Sequence, residues 1–361
     1  MMRSIAETIT LLTQSLADDF HILPLQLPDA PIFMALAVPL WDAVTGRKPR
    51  LPAGRGVTLQ HALLTAAAEA MELRASLAQS HMKTIAGLDR LKGHAQTTAY
   101  DLLQGGQVQV AAQSVYLDFA ALTGEPLITD ADSTGCATGP SRDDAIRHAA
   151  LECIERDAVA LWWHGALQRP GLRLDVIDPV QPRLSWWLQE RQRQTILLDL
   201  TTDIGVPVVL AASSQGDGRA IAIGSAARLT RTDAALAAIT EMIQTETAMA
   251  HASDMADPGV MDWLARASIG NLVQFQPLPA DAPPTAEPFG LDSIWQRIAQ
   301  SGHRVLVVDL TLPADPLPSV RVMMPGLCAM GGRIDGPRFE RLTGKPFAQL
   351  RLGATEIFEP F

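Results

Sequence analysis

Cysteine is scarce in this sequence: the chain has three, Cys136, Cys153 and Cys328, among 361 residues. Their number is odd and their spacing wide, which indicates neither a disulfide framework nor a zinc site and favours buried thiols in a reducing compartment. The first twenty residues contain Glu7 and two aspartates and lack the apolar core of a signal peptide. No apolar run reaches the length of a membrane span. We therefore expect a cytoplasmic, soluble protein with no membrane segment.

Positive charge is also scarce. The formal net charge is −10, and no run rich in lysine or arginine interrupts the acidic balance, which argues against a nucleic-acid-binding surface. Several motifs are missing as well: G-x-x-x-x-G-K-[ST], G-x-G-x-x-G, G-x-S-x-G and H-E-x-x-H. The sequence thus offers no P-loop, no dinucleotide fingerprint, no nucleophile elbow and no zinc-protease helix. With 47% hydrophobic residues, it still has ample material for a core.

The chain is expected to form a single domain over residues 1–361. We predict a helical segment within 1–30, a core over 31–330 and a C-terminal tail over 331–361. Residues 4–17 have helical spacing, while proline-rich stretches at 24–31 and 277–288 indicate loops.

Two β-rich stretches, 195–213 and 304–327, resemble each other. Each has a strand-like apolar run that ends in Asp-Leu-Thr, then a turn and a second strand. Asp199 and Asp309 end the first strands, where capping the turn is their expected role. Helices alternating with such strands predict an α/β or α+β fold with internally repeated strand-helix units.

Three further stretches repeat one pattern without a gap. A hydroxyl residue comes first and can cap a helix, because its oxygen accepts an otherwise unpaired backbone N–H. Carboxylate or amide side chains return eleven and fourteen residues later. The members are Thr58, Ala62, Glu69 and Glu72; Ser141, Ala145, Glu152 and Glu155; and Thr230, Ala234, Glu241 and Gln244. Because these offsets share one stripe of a helix, the sequence predicts the same helix three times, with polar side chains on the same face.

These acidic stripes have two interpretations. They are a solvated surface, as most charged residues are, or they bind a cation. No lysine stands four residues from any of these glutamates, where it would form a surface ion pair along the helix. The other residues of the stripe are mostly small. Carboxylates from several helices suit Mg²⁺, which is commonly held by carboxylates together with substrate phosphates. The threefold repetition favours the cation.

At the second helix, the run STGCATGPSRDDAIRHAALECIERDAVALWW (133–163) resembles the signature of the YcaO family. Three more segments resemble that family in order: TAAAEAMELR (65–74), AALAAITEMIQTE (234–246) and VVDLTLPADPLPSVRVMMPGL (307–327). Together they span most of the chain. The resemblance implies the YcaO-like ATP-binding fold, which has no P-loop and in which glutamates hold Mg²⁺ ions that bridge the triphosphate.

The resemblance also implies a reaction. Family members use ATP to activate a backbone amide oxygen of a peptide: a nucleophile adds to the carbonyl, the oxygen is phosphorylated, and phosphate leaves. The products are azolines when Cys, Ser or Thr of the peptide attacks, and thioamides when a sulfide donor attacks. Such catalysis consists largely of positioning and charge neutralisation.

Site residues follow from the resemblance position by position. The implied Mg²⁺ ligands are Glu69, Glu72, Glu152, Glu155 and Glu241; the implied ATP-binding residues are Thr65, Asp144, Arg156 and Gln244; and Glu155 and Arg156 are the implied catalytic residues. The alternative for Arg156 is a salt bridge with Glu152 along the helix. Pro140 stands where the family commonly has an asparagine, which removes an amide contact from that edge of the implied pocket.

The subtype stays open at this point. The C-terminal end, ATEIFEPF, contains only Pro360 and lacks the proline-rich tail that many azoline-forming members carry. We expect no leader-binding domain in the chain, so a partner protein would deliver the precursor peptide. These observations favour thioamide formation with a TfuA-like partner over an azoline-forming cyclodehydratase with a separate leader-binding, E1-like subunit. A non-catalytic peptide-binding scaffold is the alternative of another class, and a homodimer is expected from the family.

Overall fold

The computed structural model describes residues 4–25, 27, 30–41, 50–79, 82, 90–91, 93–250, 258–279, 291–328 and 334–347. The chain divides into two compact units whose segments alternate along the sequence. Unit 1 comprises Met1–Pro28, Ile32–Cys153 and Arg304–Pro325; unit 2 comprises Asp29–Pro31, Ile154–His303 and Gly326–Phe361.

Helices are interspersed with runs of one to three strands along the chain. The helices are α1 (Ile5–Leu16), α2 (Leu59–Ser76), α3 (Phe119–Thr123), α4 (Arg142–His164), α5 (Pro182–Glu190), α6 (Arg231–Ala250), α7 (Pro258–Arg266), α8 (Leu291–Gln300) and α9 (Gly336–Thr343). The strands are β1 (Phe20–Leu25), β2 (Phe33–Pro39), β3 (Ala53–Gly56), β4 (Arg90–Leu91), β5 (His94–Asp101), β6 (Gln107–Ala111), β7 (Cys136–Thr138), β8 (Gly171–Leu172), β9 (Gln194–Asp199), β10 (Val208–Ser214), β11 (Ala222–Ala227), β12 (Leu306–Asp309) and β13 (Ser319–Met323). Helix α4 contributes residues 142–153 to unit 1 and 154–164 to unit 2.

Unit 1 contains two antiparallel sheets within its described residues. The smaller has the order β1-β2-β3, and the larger the order β4-β5-β12-β13-β7 with β6 also paired to β5. Helices α1 and α2 bury Leu12, Leu16 and Met71 in a core cluster beneath the smaller sheet. Ala35 of β2 packs against small residues of α2, so the strand and the helix approach closely.

Unit 2 contains a sheet with the order β11-β10-β9-β8. Every residue of β10 and β11 is buried, and α6 packs against both strands. A second part of the unit 2 core is aromatic. The rings of Trp162 and Phe275 meet edge-on with their centroids 5.2 Å apart, and the ring centroids of Trp163 and Trp263 are 5.9 Å apart.

The predicted three-fold repetition has a structural counterpart. Helices α2, α4 and α6 each follow an edge strand, β3, β7 and β11 respectively. The predicted capping hydroxyls accept the expected backbone N–H: Thr58 from His61 (3.2 Å), Ser141 from Asp144 (3.1 Å) and Thr230 from Asp233 (3.0 Å). The mixed α/β fold with repeated strand-helix units is therefore confirmed.

Other local predictions are confirmed too. Helix α1 lies within the predicted 4–17, and the two β-rich stretches form antiparallel hairpins, β9-β10 and β12-β13. Asp199 and Asp309 cap the turns by accepting the backbone N–H two residues later, at 3.0 and 2.9 Å. The single domain stays a prediction. Residues 331–333 and 348–361 of the predicted tail and residues 280–288 of the predicted loop lie outside the described residues.

Candidate active site

Each of the three glutamates eleven residues after the capping hydroxyl is bound to the backbone that leads into its helix. Glu69 Oε2 accepts the N–H of Ala53 at 3.2 Å, Glu152 Oε2 that of Gly135 at 3.2 Å, and Glu241 Oε2 that of Ser225 at 3.0 Å. These N–H groups belong to, or directly precede, the edge strands β3, β7 and β11. An edge strand leaves backbone groups without a ladder partner, so the carboxylates satisfy them.

In unit 1, the pKa of the Glu72 carboxyl is strongly shifted by its surroundings. Burial raises the pKa of its carboxyl well above the ordinary value, and the charges of Glu152 and Glu69 raise it further. Glu152 of α4 and Glu69 of α2 are therefore close enough to Glu72 for their charges to act on it. The predicted unit 1 ligands Glu69, Glu72 and Glu152 thus form one group, which we call the unit 1 carboxylates.

Arg321 of β13 is the cation that opposes this repulsion, since its charge lowers the pKa of Glu72. Its side chain is fully buried and donates to the carbonyl oxygens of Asp132 (2.8 Å) and Val115 (3.2 Å) and to the sulfur of Cys136 (3.4 Å). Arg321 was not among the site residues that the sequence predicts. The one sequence signal for Arg321 is its charge between two valines in the strand sequence SVRVM.

The unit 2 carboxylates are Glu155 of α4 and Glu241 of α6. Glu155 is buried, and both of its oxygens face β11: Oε1 accepts the hydroxyl of Ser225 at 2.7 Å, and Oε2 accepts the N–H of Ala227 at 3.2 Å. Burial raises the pKa of the Glu155 carboxyl above its ordinary value. The positive charge of Arg156 opposes that shift, and the negative charge of Glu241 adds to it.

Two residues here had no predicted role. Ser225 contacts both unit 2 carboxylates, and the charge of Arg228 lowers the pKa of Glu155 together with the Ser225 hydrogen bond. Arg156 itself is half-buried on α4, one residue after Glu155. Nothing in the sequence pattern marked Ser225, because a single serine in an apolar strand is compatible with ordinary core packing.

The remaining predicted ATP-binding residues lie on the same helices. Thr65 is one turn before Glu69, and its hydroxyl donates to the carbonyl of His61 at 2.8 Å. Asp144 lies in the first turn of α4, accepts the hydroxyl of Ser141 at 2.7 Å and pairs with Arg147. The Ser141 hydrogen bond, followed by Arg147, holds the pKa of Asp144 below its usual value. Gln244 is half-buried one turn after Glu241.

A buried ion pair anchors the unit 2 part of α4. Arg338 of α9 donates to both oxygens of Asp157, at 2.8 and 2.6 Å, and both side chains are almost wholly buried. Asp157 also accepts the N–H of Cys328 at 2.8 Å. Asp157 follows Glu155 and Arg156 directly, so this pair helps to fix that turn of the helix.

The donor set of both groups fits a hard cation. All the predicted ligands are carboxylates, and the positive charge of Arg321 lowers the raised pKa of Glu72. Across the described residues, no three His, Cys, Asp or Glu side chains already stand as a ready-made metal-binding set. The thiols are not competing soft ligands: all three cysteines are buried and free, and burial raises the pKa of Cys136 to about 12.

A model of the YcaO cyclodehydratase family, described as ATP- and Mg²⁺-binding, matches residues 80–328, more than half of the chain. The chain belongs to the YcaO family. Its members are ATP-dependent, peptide-modifying cyclodehydratases, and ATP and Mg²⁺ are their cofactors. The matched range contains three of the four segments that resemble the family, 133–163, 234–246 and 307–327, and confirms the family assignment; the segment 65–74 lies before it.

Two curated relatives match most of the chain. One, from Rhizobium leguminosarum bv. trifolii, is an uncharacterized protein in the tfuA 3′ region; it is 29% identical and covers 76% of this chain and 76% of its own length. The other, an uncharacterized protein from Methanothermobacter thermautotrophicus, is 25% identical and covers 82% of this chain and 85% of its own length.

Solved structures confirm the fold. A heterocyclase in complex with substrate and cofactor superimposes with a TM-score of 0.80 at 20% identity, over 93% of this chain. The chain spans about half of that heterocyclase, 54% of its length. The YcaO protein of Methanopyrus kandleri bound with AMPPCP and Mg²⁺ gives a TM-score of 0.71 at 20% identity, over 90% of this chain and 91% of its own. A chain of the E. coli microcin synthetase McbBCD complex gives 0.62 at 14% identity, over 85% of this chain and 88% of its own.

Within the described residues, no helix combines the length and the apolar composition that crossing a membrane requires.

Proposed function

We propose that this YcaO protein uses ATP and Mg²⁺ to activate backbone amides of a ribosomally made precursor peptide, and that the product is a thioamide. The observation that carries the proposal is the placement of the predicted ligands: Glu155 and Glu241 both accept hydrogen bonds from Ser225, and the charges of Glu152 and Glu69 raise the pKa of Glu72. Clustered carboxylates cost free energy in the absence of a cation, which supports a metal-binding role over surface decoration.

In this proposal Glu69, Glu72, Glu152, Glu155 and Glu241 hold Mg²⁺, and Arg156 contacts phosphate, for which a guanidinium is well suited. The bound nucleotide would supply the phosphoryl group that turns the amide oxygen into a leaving group. The protein's own contribution is to orient the reactants and to keep the carboxylates fixed, chiefly through the N–H groups of the edge strands. Thr65, Asp144 and Gln244 are proposed nucleotide contacts.

The thioamide assignment is supported by the relative in the tfuA 3′ region of Rhizobium leguminosarum bv. trifolii. A TfuA-like protein is accordingly the proposed partner. We further propose a cytoplasmic location, which the three free buried thiols support, and a homodimer, which analytical ultracentrifugation can test.

Azoline formation is the second candidate, and the similarity to a heterocyclase favours it. Mass spectrometry separates the two products after the protein is co-expressed with its partner and a precursor peptide encoded beside its gene. Exchange of one oxygen for sulfur supports the proposal, while loss of one water supports the azoline. Glu155→Gln should abolish either change, with Glu190→Gln, an exposed glutamate at the end of α5, as the matched control. An unmodified peptide with all partners present would favour a non-catalytic scaffold.

A further inference from the structure

Ser225 donates a hydrogen bond to each of the two unit 2 carboxylates. Its hydroxyl donates to Glu155 Oε1 at 2.7 Å, and its backbone N–H donates to Glu241 Oε2 at 3.0 Å. The side chain is 4% exposed, so water does not compete effectively for either hydrogen bond.

We propose that Ser225 is a positioning residue that fixes Glu155 and Glu241 as a pair for binding a divalent cation. This inference rests on the proposed function, because it takes the two glutamates as metal ligands. It adds a residue that orients them without touching the metal, nucleotide or peptide itself.

The position of Ser225 in the sheet explains how one residue reaches both carboxylates. Ser225 pairs with Leu210 of β10 on one side of β11, and no strand of the described residues pairs with the other side of β11. The N–H groups of Ser225 and Ala227, two residues apart, therefore point from the same open edge, and Glu241 and Glu155 accept them. The serine hydroxyl adds a second hydrogen bond to Glu155, which fixes its carboxylate at both oxygens.

Hydrogen bonds to ligating carboxylates orient them, and removing such a supporting group typically weakens metal affinity about 10- to 100-fold. A competing explanation is that Glu155 and Glu241 merely satisfy the open edge of β11, in which case Ser225 contributes to stability alone. The two explanations differ in what Ser225→Ala should change: the affinity for a cation, or only the stability of the fold.

The test uses Mn²⁺ as the probe, titrated into the full chain in the presence of AMPPCP and followed by electron paramagnetic resonance of free and bound metal. We expect Ser225→Ala to bind Mn²⁺ about 10- to 100-fold more weakly than the wild type. Ser225→Thr, which keeps the hydroxyl, should recover most of the affinity. Ser214→Ala is the matched control: Ser214 is a buried serine of the neighbouring strand, and its hydroxyl has no hydrogen-bond partner within the described part of the chain.

Glu155→Gln separates failure of this inference from failure of the proposed function. If Glu155→Gln loses Mn²⁺ affinity but Ser225→Ala binds as the wild type does, Ser225 has no positioning role and the inference is overturned. If Glu155→Gln also binds Mn²⁺ normally, the proposed metal site is overturned. Should Ser225→Ala fail to fold, Ser225→Cys replaces it, because a thiol fills similar space but is a weak hydrogen-bond donor. Ser225→Cys should also bind Mn²⁺ more weakly than the wild type. Wild-type Mn²⁺ affinity in Ser225→Cys would count against the inference.

Discussion

Glu72 is under electrostatic stress when no cation is bound. Its carboxyl is desolvated by the surrounding protein and lies near the like charges of Glu152 and Glu69, while Arg321 compensates only in part. Residues kept in such an unfavourable state commonly serve a site at the expense of stability. The stability of the metal-free protein therefore reports on this group.

Glu72→Gln should raise the melting temperature of the protein in EDTA at pH 8. The pKa of Glu72 is raised in the folded state above its ordinary value of 4.5. The folded state thus binds a proton more tightly than the unfolded state, and stability falls as pH rises from that ordinary value through the folded-state pKa. The melting temperature of Glu72→Gln should exceed that of the wild type by a few degrees at pH 8, given roughly 2 °C per kcal/mol. This difference should shrink towards pH 4.

Thermal unfolding at several pH values measures this difference directly. Glu190→Gln, at an exposed position of unit 2, should show no such pH-dependent gain. A Glu72→Gln protein that melts below the wild type at pH 8 in EDTA would contradict the electrostatic account of the unit 1 carboxylates.

The buried ion pair of Arg338 and Asp157 is expected to contribute to the stability of the fold. Both side chains are buried, so Arg338→Met leaves the charge of Asp157 without its partner and should cost about 3–5 kcal/mol of the free energy of unfolding. The double variant Arg338→Met/Asp157→Asn should regain part of that loss, because it removes both charges. Denaturant unfolding provides the measurement.

The exposed pair of Arg173 and Asp175 is the control for that experiment, since Arg173→Met should have no measurable effect. Equal stability of Arg338→Met and the wild type would show that the buried pair does not anchor α4.

At the scale of elements, two glycines let edge strands approach their helices. A Cβ at Gly54 of β3 would lie 2.1 Å from backbone atoms of Ala62 and Ala66 in α2. A Cβ at Gly224 of β11 would lie 2.3 Å from the nitrogen of Met242 and 2.4 Å from the oxygen of Ala238 in α6. Backbone cannot move aside as a flexible side chain does, so these contacts require glycine.

Gly224→Ala should therefore destabilise the protein by about 3 kcal/mol or more, because α6 must shift away from β11. Gly216→Ala is a matched control in the turn before β11, where a Cβ would meet no atom within 4 Å. Chemical denaturation of both variants tests the prediction. A Gly224→Ala protein as stable as Gly216→Ala would mean that the close strand-helix approach is not required.

Signals within short stretches of the sequence predicted the helices better than they predicted which strands pair with each other. Hydroxyl caps and helical spacing predicted α2, α4 and α6, since these signals lie within one element. The short strands β3 and β7 have no usable alternation, and β7 pairs with β13 almost two hundred residues later. Pairing at that separation depends on tertiary packing, so neither the edge strands nor Ser225 and Arg321 could be predicted as parts of the site.

At the scale of the whole molecule, the predicted ligands divide into two groups. The unit 1 carboxylates lie on α2 and the first part of α4, and the unit 2 carboxylates on α6 and the rest of α4. The repeating sequence pattern predicted the acidic positions on the three helices but gave no indication of this division. Both groups have a member whose pKa is raised by burial and by a neighbouring glutamate. Mg²⁺-dependent nucleotide binding is therefore expected to require both groups of carboxylates.

Isothermal titration of AMPPCP with and without Mg²⁺ tests this requirement most directly. We expect the wild type and Glu190→Gln to bind the nucleotide in a Mg²⁺-dependent manner. Glu72→Gln and Glu155→Gln, one from each unit, should each lose about tenfold or more in affinity, since each removes a charged ligand. Wild-type affinity in both glutamine variants would contradict the central claim that these carboxylates hold the metal and the nucleotide.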